Sequence, residues 1–361
     1  MKIALFVPRY SISGVPLAQV RFARAFVRKG YDVDLVVGYV EKGLNLPCME
    51  GVNLIVFIKT RVIAMLFSIY EYLKNNKPDI IFSAEDHLNA VLLFSAILAR
   101  SKAKISVSSR VTPFDTYSDK LLSKKWLLKH FMRLVQPRAD ALTCVSEDMV
   151  LQYRKIFKNT RHQCVYNIVK DEESKGRMEE RVDNPWITDK KIPIVIGAGQ
   201  LAPWKGFSDL IMAVKLVNQS TPVRLIILGE GPLRGDLENL IGKEGLENVV
   251  RLIGFQDNPL KYYSKADVFV LSSYVEGLPN VLVEAMMCGC TPVATDCPTG
   301  PREVLQEGKY GYLVPVHDSK SMAEAIIKAL KNPISPQILM EALIPFTEEN
   351  VIQKHKQMLQ F

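Results

Sequence analysis

The sequence predicts an α/β protein with two doubly wound, Rossmann-like domains that face each other across a cleft. Short β-branched runs alternate with helical patterns, which is typical of parallel sheets covered by helices. A charged segment in the middle of the chain interrupts this alternation, which then begins again. The chain has 361 residues and is 48% apolar, enough for two cores and too long for one such domain.

The first half contains seven apolar runs that we predict as strands and two clear amphipathic patterns that we predict as helices. The predicted strands are residues 3–7, 33–37, 54–57, 80–83, 105–108, 141–145 and 163–166. The predicted helices are residues 15–28 and 61–75. We assign residues 1–169 to an N-terminal domain.

The middle segment, residues 170–191, is charged, contains Gly176 and Pro185 and has no clear apolar period, so we predict a linker and surface loop. Residues 192–346 form the predicted second domain. Its predicted strands are residues 192–197, 223–228, 249–253, 268–271, 291–294 and 312–314. Its predicted helices are residues 207–219, 233–243, 281–288 and 321–330. A last helix, within residues 347–361, is expected to pack back on the first domain.

The net charge of +8 fits an anionic membrane surface, nucleic acid or phosphorylated ligands. No basic motif with interleaved aromatic residues is present, which argues against nucleic acid. The apolar run at residues 3–7 is short for a signal peptide, and no apolar stretch reaches the length of a membrane span. We therefore expect a cytoplasmic protein.

The cysteines form no CxxC pair and most lie in apolar segments, which predicts buried free thiols in a reducing compartment. The six cysteines are Cys48, Cys144, Cys164, Cys288, Cys290 and Cys297. The spacing Cys288-Gly289-Cys290 is wrong for a zinc site.

The most informative segment follows the predicted strand that ends at Leu271. A loop carries Glu276, a helix begins near Pro279–Asn280, and Glu284 lies about one turn into that helix. Both carboxylates can therefore point into one cleft. The backbone N–H groups at the helix start favour an anionic group such as a diphosphate.

This segment resembles a known family. The spacing Glu276-x7-Glu284, with Gly277-Leu278-Pro279 inside it, is similar to the EX7E motif of retaining GT-B glycosyltransferases of family 4. Residues 199–207 resemble the family's G-R-L-x-x-x-K-G-F loop, and residues 229–232 and 254–255 match two smaller signatures. Residues 296–303 resemble a branch that builds bacterial surface polysaccharides and lipid-linked oligosaccharides.

The resemblance implies that residues 1–169 bind the acceptor and that residues 192–346 bind the nucleotide sugar. It also implies roles for individual residues. Glu276 would contact donor-sugar hydroxyls, Lys205 would neutralise the diphosphate leaving group, and Glu284 would hold the ribose hydroxyls. Gly254 and Phe255 would lie against the base, and Gly14 would let the backbone approach the phosphates. The other donor-binding residues implied are Gln200, Gly277, Leu278, Pro279, Asn280 and Val281.

Two positions depart from the family pattern. Gln200 stands where the family commonly has arginine, so one cation is missing, and Arg302, Arg234 or a first-domain residue are candidates to replace it. Arg110 occupies roughly the place of a catalytic-site histidine, and we predict it as a third catalytic residue beside Glu276 and Lys205.

His87 follows a strand and either faces the cleft as an acceptor residue or makes structural hydrogen bonds at a helix start.

The resemblance implies a retaining transfer of a hexose or N-acetylhexosamine from a nucleotide sugar, expected to be a UDP-sugar, to a lipid-linked sugar acceptor. No DxD-type metal motif is evident, so neither a metal nor another cofactor is expected. A sugar-nucleotide epimerase of the same fold and a non-catalytic sugar-binding protein are the alternatives. Acceptor-dependent transfer of the sugar distinguishes the three.

The segment from Lys120 to Arg138 carries six basic residues and no acidic residue, with apolar residues at helical spacings. Such a helix can lie on an anionic membrane, or its apolar face can simply belong to the core. Because the branch resemblance implies an acceptor on a polyprenyl diphosphate, we predict that this helix docks on the inner face of the cytoplasmic membrane.

Overall fold

The protein is described by a computed structural model that covers residues 1–11, 14–44, 46, 49–158 and 160–361. The chain divides into two compact units. The first unit contains Met1–Ile168 and Glu348–Phe361, and the second contains Val169–Thr347. Each unit is built on one parallel sheet, which confirms the predicted fold class of two Rossmann-like domains.

The sheet of the first unit has seven parallel strands in the order β3-β2-β1-β4-β5-β6-β7. Apolar side chains are buried along β1 and β2 because helices cover the sheet. The strands are β1 (Lys2–Val7), β2 (Asp32–Val37), β3 (Val52–Val56), β4 (Ile80–Ala84), β5 (Lys104–Ser109), β6 (Ala141–Cys144) and β7 (His162–Cys164).

The helices of the first unit include the last helix of the chain. They are α1 (Gly14–Arg28), α2 (Leu66–Asn76), α3 (Asp86–Leu98), α4 (Pro113–Thr116), α5 (Lys124–Val135), α6 (Glu147–Ile156) and α16 (Glu348–Leu359). Helix α16 buries Val351 and Ile352 in the same apolar cluster as Phe22 of α1. Arg28 pairs with Glu348, which also ties α16 to α1.

The sheet of the second unit has six parallel strands in the order β10-β9-β8-β11-β12-β13. They are β8 (Ile194–Ala198), β9 (Arg224–Leu228), β10 (Val250–Leu252), β11 (Val268–Leu271), β12 (Thr291–Thr295) and β13 (Tyr312–Val314). The helices that accompany this sheet are α9 (Phe207–Val217), α10 (Arg234–Lys243), α11 (Leu260–Tyr263), α12 (Asn280–Met287), α13 (Pro301–Val304), α14 (Ser319–Lys331) and α15 (Pro336–Ala342).

The segment predicted as linker and loop, residues 170–191, lies in the second unit and contains α7 (Ser174–Glu179) and α8 (Pro185–Thr188). Trp186 is buried, and the guanidinium carbons of Arg224 and Arg251 lie 4.9 and 4.1 Å from its ring centre. One aromatic residue thus anchors a charged segment that has no apolar period.

The basic helix α5 differs in part from its prediction. Met132 and Val135 are buried, and Lys129 is buried and donates to Asp119 Oδ1 at 2.5 Å. Lys129 was expected at a membrane surface, and this expectation is wrong because Asp119, just outside the basic segment, pairs with it. Lys124 and Lys125 are exposed.

Four of the cysteines are buried free thiols, Cys144, Cys164, Cys290 and Cys297, and Cys288 is half-buried. Cys48 lies outside the described residues. Within the described part of the chain, no helix is both long and apolar enough to cross a membrane.

Candidate active site

The site residues of the second unit lie where the strand order of its sheet reverses. Strand β8 lies between β9 and β11. The chain runs from β8 through β9 to β10 on one side of β8 and then returns to β11 on the other side. Ligands of doubly wound sheets bind at the carboxyl ends of such strands. The loop after β8 carries Lys205, and the loop after β11 carries Glu276.

Lys205 and Glu276 form an ion pair between these two loops. The Lys205 side chain is 18% exposed and the Glu276 side chain 10% exposed, so water screens the pair only in part. Ser273 Oγ donates to Glu276 Oε1 at 2.7 Å, and Ser272 Oγ donates to the Lys205 carbonyl oxygen at 2.7 Å. Ser273 therefore holds the Glu276 carboxylate in addition to its partner Lys205, and Ser272 holds the backbone of Lys205.

Two glycines allow this close approach. Gly206 has φ of +62°, and a Cβ there would lie 2.1 Å from the Ser272 carbonyl oxygen. Gly300 has φ of +92°, and a Cβ there would lie 2.6 Å from both the Gly277 carbonyl oxygen and Pro279 Cδ. Both positions need a left-handed backbone and no side chain, so glycine is the residue that fits.

Glu284 is buried on α12, one turn after the helix begins, with 6% of its surface exposed. Pro279 caps the helix and makes no side-chain capping hydrogen bond. Asn280 and Val281 form the first turn, and Leu278 and Pro279 are buried behind it. The structure thus brings Glu276, the helix start and Glu284 together in one strand–loop–helix unit.

The other donor-binding residues of this unit follow neighbouring strands. Gly254, with φ of +80°, follows β10, and its carbonyl oxygen accepts from the Gly229 N–H at 2.8 Å. Phe255 is 43% exposed, which leaves its ring available to a ligand. Gln200 is exposed in the loop after β8.

The two second-unit candidates to replace the cation missing at Gln200 are already engaged. Arg234 pairs with Glu230 at 2.6 Å and with Glu238 at 2.9 Å. Arg302 pairs with Asp296 and with Glu307. A diphosphate would have to compete with two carboxylates for either guanidinium.

In the first unit, the strand order reverses between β1 and β4. Gly14 begins α1 after β1, and its preceding residues Ile12 and Ser13 lie outside the described residues. His87 is exposed near the start of α3, after β4. Arg110 follows β5 and donates to Asn167 Oδ1. Burial, opposed by the charge of Glu85, lowers the Arg110 pKa to about 10.

Glu85, which no sequence motif singled out, stands directly after β4 with φ of +82° and ψ of 127°. A non-glycine residue in this region carries strain that is common at functional sites. Burial raises the pKa of its carboxyl group, and the charges of Arg9 and Arg110 oppose that effect. The three-residue run Glu85-Asp86-His87 after a buried strand was a signal of a polar site, but no sequence pattern revealed the backbone strain.

Asp86, the next residue, is buried and accepts hydrogen bonds from Ser109 Oγ at 2.7 Å and from the Tyr153 hydroxyl at 2.5 Å. Burial raises the pKa of Asp86, and these hydrogen bonds oppose that effect. No group of three or more His, Cys, Asp or Glu side chains placed to hold a metal ion occurs within the described ranges.

Two family models match the chain. The model described as "Glycosyltransferase Family 4" matches residues 12–173, and the model described as "Glycosyl transferases group 1" matches residues 178–344. An uncharacterized glycosyltransferase of Methanocaldococcus jannaschii is 32% identical over 260 residues, which are 68% of this chain and 62% of that protein.

A second relative is the N-acetylgalactosamine-N,N'-diacetylbacillosaminyl-diphospho-undecaprenol 4-alpha-N-acetylgalactosaminyltransferase of Campylobacter jejuni. It is 30% identical over 244 residues, which are 66% of this chain and 64% of that enzyme. The chain therefore matches less than two thirds of the length of both relatives.

Solved structures show the same fold. The lipopolysaccharide outer core galactosyltransferase WaaB superposes with a TM-score of 0.74 at 16% identity, covering 100% of this chain and 99% of that chain. Anabaena HepE in complex with UDP-glucose superposes with a TM-score of 0.74 at 18% identity, with the same coverage. These structures show the GT-B fold, and the two family models together identify the chain as a glycosyltransferase similar to family 4.

Proposed function

We propose that the protein is a retaining glycosyltransferase that moves a hexose or N-acetylhexosamine from a UDP-sugar to a lipid-linked sugar acceptor. The observation that carries this proposal is the Lys205–Glu276 ion pair at the reversal point of the second sheet, with Glu284 buried on the helix that follows the Glu276 loop. The matches to both family models support a glycosyltransferase.

Lys205 and the start of α12 would stabilise the leaving group. Breaking the bond between sugar and diphosphate builds negative charge on the diphosphate and positive charge on the sugar ring. A preorganised ammonium group and helix N–H groups stabilise the first charge. Diphosphate binding would draw Lys205 away from Glu276, and the freed Glu276 carboxylate would then accept hydrogen bonds from the donor sugar.

Glu284 would bind the two ribose hydroxyls, and its role can be tested by binding alone. Glu284→Gln keeps the shape but replaces a charged acceptor, so the affinity for a UDP-sugar should fall by about tenfold or more. Calorimetric titration measures this loss. The exposed Glu324→Gln on α14 is the control, and equal affinities of the two variants would contradict the assignment.

The stereochemistry and the charge compensation are proposals with their own tests. The product should keep the anomeric configuration of the donor, and the name of the Campylobacter relative states an alpha linkage for that enzyme. A β-linkage by NMR coupling constants would exclude the retaining mechanism. Since we propose cationic residues rather than a metal at the diphosphate, transfer should persist in EDTA.

The lipid-linked acceptor is supported by the same relative, whose name includes a diphospho-undecaprenol acceptor. The direct test incubates the protein with radiolabelled UDP-sugars and a lipid extract that contains polyprenyl-diphosphate-linked sugars. Label in the lipid phase supports transfer. Conversion of the nucleotide sugar without any acceptor would indicate an epimerase, and binding without turnover would indicate a sugar-binding protein.

We also propose that α5 and the turn before it dock on the inner face of the cytoplasmic membrane. Leu121 and Leu122 are 69% and 73% exposed, and Leu127 on α5 is 52% exposed. Together with the exposed Lys124 and Lys125, they offer apolar groups to the acyl region and charge to anionic headgroups.

The double variant Lys124→Glu/Lys125→Glu should abolish sedimentation with anionic vesicles at low salt while UDP-sugar binding is kept. The control is Lys328→Glu/Lys331→Glu on α14, which makes the same charge change at exposed positions of the second unit. Failure of the wild-type protein to sediment, or equal loss in both variants, would exclude this surface.

A further inference from the structure

A small polar cavity inside the first unit gathers side chains from four separate elements. It has a volume of about 20 Å³. Its lining includes Gln19 from α1, Ser83 from β4, His355 from α16, and Arg110 after β5. All four therefore come from distant parts of the chain and meet only in the folded unit.

One polar atom of each of these side chains has no hydrogen-bond partner among the described residues. The four atoms are Gln19 Oε1, Ser83 Oγ, Arg110 Nε and His355 Nδ1. Gln19 and Ser83 are each 1% exposed, and His355 is 7% exposed, so bulk water has almost no access to these side chains. A buried polar group without a partner is costly, and four around one cavity indicate a bound molecule.

The donor and acceptor chemistry of the four atoms identifies the molecule. Arg110 Nε–H only donates and Gln19 Oε1 only accepts, whereas the Ser83 hydroxyl can do either. Burial, followed by the charge of Arg110, lowers the His355 pKa to about 3, so the ring is neutral and Nδ1 can accept. The molecule must therefore both donate and accept.

Water meets these requirements, and other small occupants do not. An anion accepts only and would leave Gln19 Oε1 without a donor. A metal cation would be repelled by the Arg110 guanidinium. The volume is enough for one water molecule, which needs roughly 10–15 Å³ by this measure and forms two to four hydrogen bonds.

We propose that this cavity binds an ordered water molecule that links α1, β4 and the C-terminal helix α16 to Arg110, and thereby positions the Arg110 guanidinium. Asn167 holds Arg110 at Nη1, and the water holds it at Nε. The last helix of the chain would in this way act on a predicted active-site residue. The positioning role rests on the proposed function, whereas the water site itself does not.

A crystal structure of the full chain, grown or soaked in bromide, tests the occupant. We expect one density peak at about 2.7–3.2 Å from Gln19 Oε1 and Arg110 Nε, without anomalous signal. Empty density, or an anomalous bromide peak at this position, overturns the proposal.

A substitution at Ser83 gives an independent test because its sign depends on the water. Ser83→Ala removes a water ligand if the site is filled, and the Tm should fall by about 2–4 °C. In a dry cavity the same change removes an unsatisfied hydroxyl and raises the Tm. Ser95→Ala is the matched control, since Ser95 is fully buried in the same unit and donates directly to the Leu66 carbonyl oxygen at 3.2 Å.

The positioning role is tested with Gln19→Leu, which removes one water ligand without touching Arg110. We expect kcat for sugar transfer to fall by about tenfold, with KM for the nucleotide sugar unchanged. Val20→Ala, on the same helix but outside the cavity lining, should lose stability and keep kcat. Equal kcat values in the two variants overturn the positioning role. If the wild type transfers no sugar, the proposed function fails while the density and Tm results still decide the water site.

Discussion

In the second unit, two neighbouring loops supply the candidate site, whereas in the first unit the corresponding edge gathers residues from distant parts of the chain. Lys205 and Glu276 follow adjacent strands, and Glu276 and Glu284 belong to one loop and helix. In the first unit, Arg110 meets Asn167, and the cavity beside it reaches His355 near the end of the chain. A site made of contiguous segments thus leaves a motif in the sequence, whereas a site assembled by tertiary packing does not.

The largest effect is expected where the motif is densest. Lys205→Ala removes the charge that would stabilise the leaving diphosphate, so sugar transfer should fall by about 10²–10³-fold. Lys215→Ala is the control because Lys215 forms a comparable ion pair with Glu244 on the same unit, at 2.5 Å. Initial rates with saturating donor measure both. A loss below tenfold in Lys205→Ala would place the leaving-group charge elsewhere.

Gly206 lets the loop with Lys205 and the loop with Glu276 approach each other in the second unit. Gly206→Ala adds a Cβ at 2.1 Å from a carbonyl oxygen in a left-handed conformation, so the unit should lose about 2–3 kcal/mol of unfolding free energy. Denaturant unfolding measures this. Gly235→Ala on α10 has no atom within 4 Å of the new Cβ and should slightly stabilise the helix. Equal changes in the two variants would show that the loop adjusts freely.

The sequence predicted secondary-structure elements in both units, but not the contacts of individual side chains. Apolar runs bounded by polar residues predicted central strands such as β1, β8 and β11, because a parallel strand covered on both faces must be apolar along its length. The edge strands fit this rule less well, since β3 is largely exposed and β7 is mostly polar. The loop with Glu276 and the helix with Glu284 could also be predicted, since both follow directly after the strand that ends at Leu271. The partners of individual side chains were not predictable in this way.

Two residues, Lys129 and Trp186, show why. Lys129 was expected at a membrane surface, but Asp119 lies ten positions earlier and pairs with it once the intervening turn folds back. Trp186 anchors a charged segment only because Arg224 and Arg251 stack on it from the sheet. Each outcome depends on contacts between elements, which no local pattern encodes.

Glu85 offers a test of strain in the first unit, and we expect a smaller effect there. Glu85→Gly removes the cost of a positive φ, so thermal unfolding should show a gain of about 1 kcal/mol. If Glu85 serves the acceptor, sugar transfer should fall in the same variant. Glu147→Gly, at the start of α6, is the control for loss of a side chain at a helix start and should only destabilise. A destabilised Glu85→Gly would mean that the backbone is not strained.

An effect of similar size depends on pH and concerns a buried histidine of the first unit. Burial lowers the pKa of His162, in β7 of the first unit, to about 4, and in the unfolded chain the pKa is about 6.5. Between these values the unfolded chain binds the extra proton, so the contribution of His162 is fully present above about pH 6.5 and is lost as the pH falls towards 4. His162→Gln should remove this dependence, and the difference in unfolding free energy between wild type and variant should change by about 1 kcal/mol between pH 7 and pH 5.5.

Urea titrations at several pH values measure this change in the difference, and His130→Gln controls for the loss of an exposed imidazole. Because the raised pKa of the buried Asp86 acts in the opposite direction, the wild-type profile alone does not isolate His162, and only the difference between the two profiles decides the prediction. A constant difference across this pH range would mean that the ring is solvated or that the unfolded state also keeps it neutral.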